Sequence, residues 1–121
     1  MINLTNKAII LSTANDSRVR IETSGLIARP RLDWVPAGIV KVEGCDIPFA
    51  MSHCDAVENL PFEEGDFFVE RNVFEILHLV KTHPNARYFT HGPGCVVPLG
   101  TGTYRVTKLI IFQSGITPQS V

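Results

Sequence analysis

Short apolar runs separated by turn residues dominate the chain. Lys7 to Leu11 carries the run Ala-Ile-Ile-Leu and predicts a buried strand. Asn15-Asp16-Ser17 supplies a turn. Arg18-Val19-Arg20-Ile21-Glu22 alternates polar and apolar, which places its arginines on one face and Val19 and Ile21 on the other. After the turn Thr23-Ser24-Gly25, the stretch Leu26 to Arg29 predicts a strand. Pro30 is expected to end it, by removing a ladder donor and holding Arg29 extended. Gly38 to Val42 and Ile47 to Met51 flank Glu43-Gly44-Cys45-Asp46 and predict a hairpin. Ala56 to Pro61 reads as an extended connection, Glu63-Glu64-Gly65 as an acidic turn, and Asp66 to Val69 as a buried strand.

One helix is predicted, from Arg71 to Thr82, because Val73, Phe74, Leu77 and Val80 fall on one helical face that Ile76 widens. Lys81 and His83 suit the negative end of its dipole, and Pro84 stops it. Arg87 to Thr90 predicts a strand, Val96-Val97-Pro98 a short edge strand, and Tyr104 to Phe112 one long strand. The sum is an α+β fold, a mainly antiparallel β-sheet with one central α-helix, in a single β-rich domain over residues 1–121. Residues 113–121 read as a tail that is flexible or docked on a partner.

At 121 residues and 13.4 kDa the chain suffices for one domain with its own core. Its apolar runs fall short of a bilayer span, and its first residues lack the order of a signal peptide, so a cytoplasmic protein with no membrane partner is expected. Cys45, Cys54 and Cys95 are too few for a disulfide scaffold and fit a reducing compartment as small buried hydrophobes.

The formal net charge of −1 excludes a protein that coats long nucleic acid by bulk charge. The charges are nevertheless segregated. Arg18, Arg20, Arg29 and Arg31 stand against one acid, Glu22. Asp55, Glu58, Glu63, Glu64, Asp66, Glu70 and Glu75 crowd the middle. From residue 76 onward there is no Asp or Glu, while Lys81, Arg87, Arg105 and Lys108 are present. If the two basic segments meet, within a subunit or between subunits, they make a site for a compact anion such as a phosphate. If they do not, they are a solvated surface.

His91-Gly92-Pro93-Gly94-Cys95 and Leu99-Gly100-Thr101-Gly102-Thr103 are glycine-rich and allow a ligand to approach the backbone, or else form two hairpin turns. Neither ends in the Gly-Lys-Ser/Thr of a phosphate loop. Trp34, in a segment that reads as a loop, and Tyr104 offer rings for a base. The candidate ligand-binding residues are therefore Arg18, Arg20, Ser24, Arg29, Arg31, Trp34, His91, Gly92, Gly94, Thr101, Thr103, Tyr104 and Arg105. No metal, cofactor or catalytic residue is expected. His53, Cys54, Asp55, His78, His83, His91 and Cys95 lack metal-ligand spacing, and His91 with Cys95 is at most a local nucleophile–base pair.

The order of these pieces resembles a group of small, uncharacterised single-domain proteins encoded by phages and prophages. The shared pattern runs from Asn3-Leu4-Thr5 through Ser24-Gly25-Leu26-Ile27-Ala28-Arg29, Glu43-Gly44, Ile47-Pro48 and Val57-Glu58-Asn59-Leu60-Pro61 to Gly65, a strand and a helix. It covers roughly residues 3 to 82. Glu70 stands where the group has a serine N-cap, and no Arg-Asp pair follows Pro93-Gly94. The resemblance implies an anti-defence sponge. Such a homo-oligomeric protein acts in the infected bacterial host and sequesters a cyclic or ADP-ribose-derived nucleotide signal, of the kind used in Thoeris or CBASS immunity, without catalysis. Two alternatives accompany it: a small hydrolase of such nucleotides, and a virion accessory or host-protein-binding inhibitor with no small ligand.

Overall fold

The computed structural model describes residues 1–15, 17–100 and 102–114. Ten strands form three sheets: β1 (Ile2–Asn3), β2 (Ala8–Ser12), β3 (Arg18–Ile21), β4 (Arg29–Val42), β5 (Cys45–Glu58), β6 (Gly65–Phe68), β7 (Ala86–His91), β8 (Val96–Pro98), β9 (Thr103–Val106) and β10 (Leu109–Phe112). The first sheet has the order β1-β6-β7-β10, the second β3-β2-β9-β8, and the third is the two-stranded ribbon β4-β5.

The first sheet is the middle layer, and alternation along its strands serves two cores. Phe67, Val69, Ala86 and Tyr88 face a core shared with Leu4, Ala28, Val73 and Leu77. Phe68, with Phe89 and Leu109, faces the second sheet and packs on Ile9 and Val106. The rings of Phe67 and Tyr88, register partners on β6 and β7, stack with centroids 5.6 Å apart. Burial pushes the Tyr88 phenol above the ordinary tyrosine range.

Mostly β with a small helical part, the fold departs from the sequence expectation in several places: Leu26 to Ala28 is not a strand, and the cysteines expected as buried are exposed at Cys45 and half-buried at Cys54 and Cys95. The sheets are mixed: β1 with β6, β6 with β7 and β2 with β9 are parallel. Between β6 and β7 the chain crosses over through its small helical part, and between the other two pairs it passes through other sheets, so it re-enters each sheet in the same direction. The expected helix shrinks to α1 (Arg71–Phe74) and a 3₁₀ turn (Leu77–Leu79), lying on one face of the middle layer. Glu70 makes no side-chain cap, Val80 is already extended, and the buried anchors Val73 and Leu77 are both satisfied by these two turns. The single expected strand from Tyr104 to Phe112 is two strands in different sheets, bent at Thr107-Lys108.

The hairpin departs as well, being far longer than its apolar flanks announce. β4 and β5 are 14 residues each. They are joined by Glu43 and Gly44, both at positive φ (54° and 77°), the geometry of a two-residue turn that matches strand twist. Pro30 lies inside β4, and Trp34 is on a strand, not a loop. A two-stranded ribbon has a free edge on each strand, where a missing N–H costs no ladder bond. The expected edge strand at Val96–Pro98 is present, bordering the second sheet. The tail expected at 113–121 lies almost wholly outside the described residues, as do Asp16 and Thr101.

Asp66 and Arg87 face each other across β6 and β7, and the guanidinium donates to both carboxylate oxygens at 2.7 Å. These bonds hold the Asp66 carboxyl below its ordinary 3.8. A depressed carboxyl contributes stability above the unfolded-state pKa and loses it as pH falls through the folded one. Asp66→Asn is therefore expected to be less stable than wild type at neutral pH. The gap in urea midpoint should close as the pH drops below 3.8.

Candidate functional site

A cavity of about 490 Å³ opens between the two four-stranded sheets, within the size range of small-ligand sites. Its apolar wall is Ile9, Val106 and Val96 from the second sheet and Phe68 from the first. Its polar lining comes from two segments. Thr5, Asn6 and Lys7 lie on the link between β1 and β2, and Glu70, Arg71 and Asn72 lie where β6 passes into α1. His91, at the end of β7, and Tyr104, on β9, complete it.

The link is held by one buried side chain. Asn3 is 1% exposed. Its Nδ2 donates to Lys7 O at 2.7 Å and to Ile21 O at 3.4 Å. Its Oδ1 accepts from Thr5 N at 3.0 Å and Thr5 Oγ1 at 2.7 Å. The backbone around Lys7, a half-buried residue, is thereby fixed, and its ammonium lies near Gly102, 4.0 Å from where a β-carbon on that glycine would stand. On the other wall, Arg71 donates Nη1–H to His91 O at 3.4 Å, and its Nε lies 3.4 Å from Glu75 Oε1. Three groups that are or can become cationic, Lys7, Arg71 and His91, thus share a cavity with Glu70 and an apolar wall. Burial raises the strength of any hydrogen bond they make there.

The candidates from the sequence divide among three places. His91 and Tyr104 line the cavity. Arg18, Arg20 and Arg105 do come together, but on the outer face of the second sheet: Ile10 pairs with Arg20 on one side and with Arg105 on the other. Alternation turns all three away from the cavity, toward solvent. There Arg20 pairs with Glu22, and Arg105 donates Nε–H to Ser12 Oγ at 3.1 Å. Arg29, Arg31 and Trp34 lie on the ribbon.

The remaining candidates shape turns or strands. Ser24 Oγ donates to Asn3 O at 2.7 Å, tying a turn to β1. Gly92 and Gly94 build the bend that carries the chain from the first sheet to the second, with Gly92 N donating to Lys108 O at 2.8 Å. Thr103 is buried beside Ala8, and Thr101 lies outside the described residues. The second glycine stretch closes the β8–β9 hairpin. Among the described residues, no three His, Cys, Asp or Glu side chains gather as a metal set.

Sequence reasoning passed over Thr5, Asn6, Lys7, Arg71 and Asn72. The one available signal was Asn3-Leu4-Thr5, a polar-apolar-polar triplet whose polar members are buried. Removing the Asn3 amide strands several backbone partners, and Asn3→Ala is expected to lower stability by about 1–3 kcal/mol in urea unfolding. Asn3→Asp, which loses both N–H donors, should not rescue it.

No protein family, curated protein or solved structure was found to match the chain.

Proposed function

We propose that the chain binds a small phosphorylated nucleotide, cyclic or derived from ADP-ribose, in the cavity between its sheets and sequesters it unchanged. The observation that carries this reading is the convergence of Lys7, Arg71 and His91 on a cavity whose opposite wall is apolar. Such a site divides a nucleotide by its chemistry. The phosphate meets Lys7 and the guanidinium of Arg71, whose fork suits phosphate oxygens. The base lies against Tyr104 and Ile9, with Asn6 and Asn72 as neutral hydrogen-bonding groups at the rim. The outer arginines are flat on a solvated sheet face, where salt screens their attraction, and they serve this reading less well than the cavity.

The resemblance to phage-encoded proteins supplies the biological setting: an anti-defence protein in the cytoplasm of an infected bacterium, with no membrane or long nucleic acid as partner. Calorimetry with cyclic mononucleotides, cyclic dinucleotides, ADP-ribose and cyclic ADP-ribose isomers tests the reading. One class is expected to bind and to be recovered intact after heat release. Lys7→Ala and Arg71→Ala should each weaken it about tenfold or more, one charged hydrogen bond's worth. Arg18→Ala, on the opposite face, should leave it unchanged. Conversion of the nucleotide to a new species would replace sequestration by hydrolysis. Absence of binding across the panel would overturn the reading.

A further inference from the structure

The β4–β5 ribbon carries nine of the eighteen large apolar residues that are exposed among those described. The paired register, with shifts at Arg31/Leu32 and Pro36/Gly38, sorts them onto two faces. Val35, Val40, Val42, Ile47, Phe49 and Met51 share one face, and Leu32, Trp34 and Ile39 share the other. Ile39 is 69%, Trp34 67% and Met51 62% exposed. An isolated two-stranded ribbon is marginal in water even with a polar side, and this one is apolar on both.

We propose that the ribbon is a dimerisation arm whose occupant is a second copy of this chain, packed face to face. Three observations select that occupant. The first is area. Strands of 14 residues span about 46 Å, and two of them present roughly 450 Å² per face. Packed face to face, two copies cover one face each, roughly 900 Å² in all, at the low end of specific interfaces. One face by itself lies within the roughly 300–600 Å² of an ordinary monomer's largest apolar patch, a size at which such patches are often functional.

The second observation is charge. The outer part of the first face, from Val35 to Val42 and Cys45 to Met51, presents no charged side chain. It meets itself across a two-fold axis with no like charges opposed, as an isologous contact requires. The third is the edges. Pro30, Pro36 and Pro48 remove N–H donors that a further strand would need, so addition of a partner strand along the edge is blunted and the faces are left as the contact. A bilayer is a poorer occupant. The tip that would enter it carries Glu43 and the Lys41–Asp46 pair, 4.0 Å apart.

The proposal stands apart from the ligand reading, since no ribbon residue lines the cavity. Sedimentation equilibrium of the full chain tests it. Wild type at micromolar concentration is expected at twice the 13.4 kDa chain mass or an even multiple of it. Val35→Asp/Met51→Asp should sediment as a monomer, and Trp34→Ala should weaken association about tenfold or more. Both variants change exposed side chains, and unaltered circular dichroism and urea midpoint confirm that the body still folds. Leu79→Asp, exposed on the body, should remain associated. A wild type that stays monomeric overturns the proposal, whether alone, on phospholipid vesicles or in a stoichiometric complex with a host protein. So does an oligomer that survives Val35→Asp/Met51→Asp, or one that only Leu79→Asp breaks.

Discussion

Residues 3 to 5 are the seam on which the rest of the structure depends. Leu4 is fully buried, its N–H donates to Phe68 O at 2.8 Å, and its carbonyl accepts from Ala28 N at 2.9 Å. One residue thus joins the middle sheet to the segment that launches the ribbon. Beside it the Asn3 amide reaches Ile21 O in the second sheet and Lys7 O in the link. A buried amide must find partners for all its polar groups or lose more than a hydrogen bond is worth, so this seam admits few alternative arrangements. The same bonds that hold the layers together also set the backbone carrying Thr5, Asn6 and Lys7 at the rim of the cavity.

From that seam the molecule divides into a body and an arm with opposite logics. In the body, the middle sheet covers apolar side chains on both faces, and the cavity is the gap left where the second sheet and the start of α1 diverge around Phe68. A void with polar groups on one wall and apolar groups on the other is suited to an amphipathic ligand, since water satisfies only half of it. In the arm, two long strands pair with each other along one edge, but most of their large apolar side chains stay exposed. The hydrophobic effect acts on both regions in the same way, favouring any contact that takes their apolar surface out of water.

The charge pattern shows how sequence segments and spatial patches can part company. Arg105 is far in the chain from Arg18 and Arg20 and close to them on one sheet face. Yet the period of two in a strand places that face opposite Tyr104, the aromatic candidate next to Arg105. Adjacent residues on β9 therefore serve different surfaces. The cations that do meet Tyr104 and His91 are Lys7 and Arg71, the first outside the basic segments and the second inside the acidic middle.

The positions of β2, β3, β6 and β7, the tight turn at Glu43-Gly44, the edge role of Val96–Pro98 and the outward arginines of β3 were legible in the sequence. Each rests on local alternation or on backbone angles that only a few residues tolerate. The length of the ribbon was not legible, because prolines that end a central strand are tolerated at a free edge, and only the pairing shows that an edge is free. Nor was the shortness of the helix, since a helical period predicts which residues a core would bury and not how many turns it needs. The break at Thr107-Lys108 and the parallel pairings depend on which layer each strand joins. By itself, then, the sequence determined a β-rich chain with segregated charge and a tight hairpin turn. Only the tertiary structure decided which cations share a cavity and which apolar residues remain uncovered. Both are contacts between residues distant in the chain, and local pattern carries no record of them.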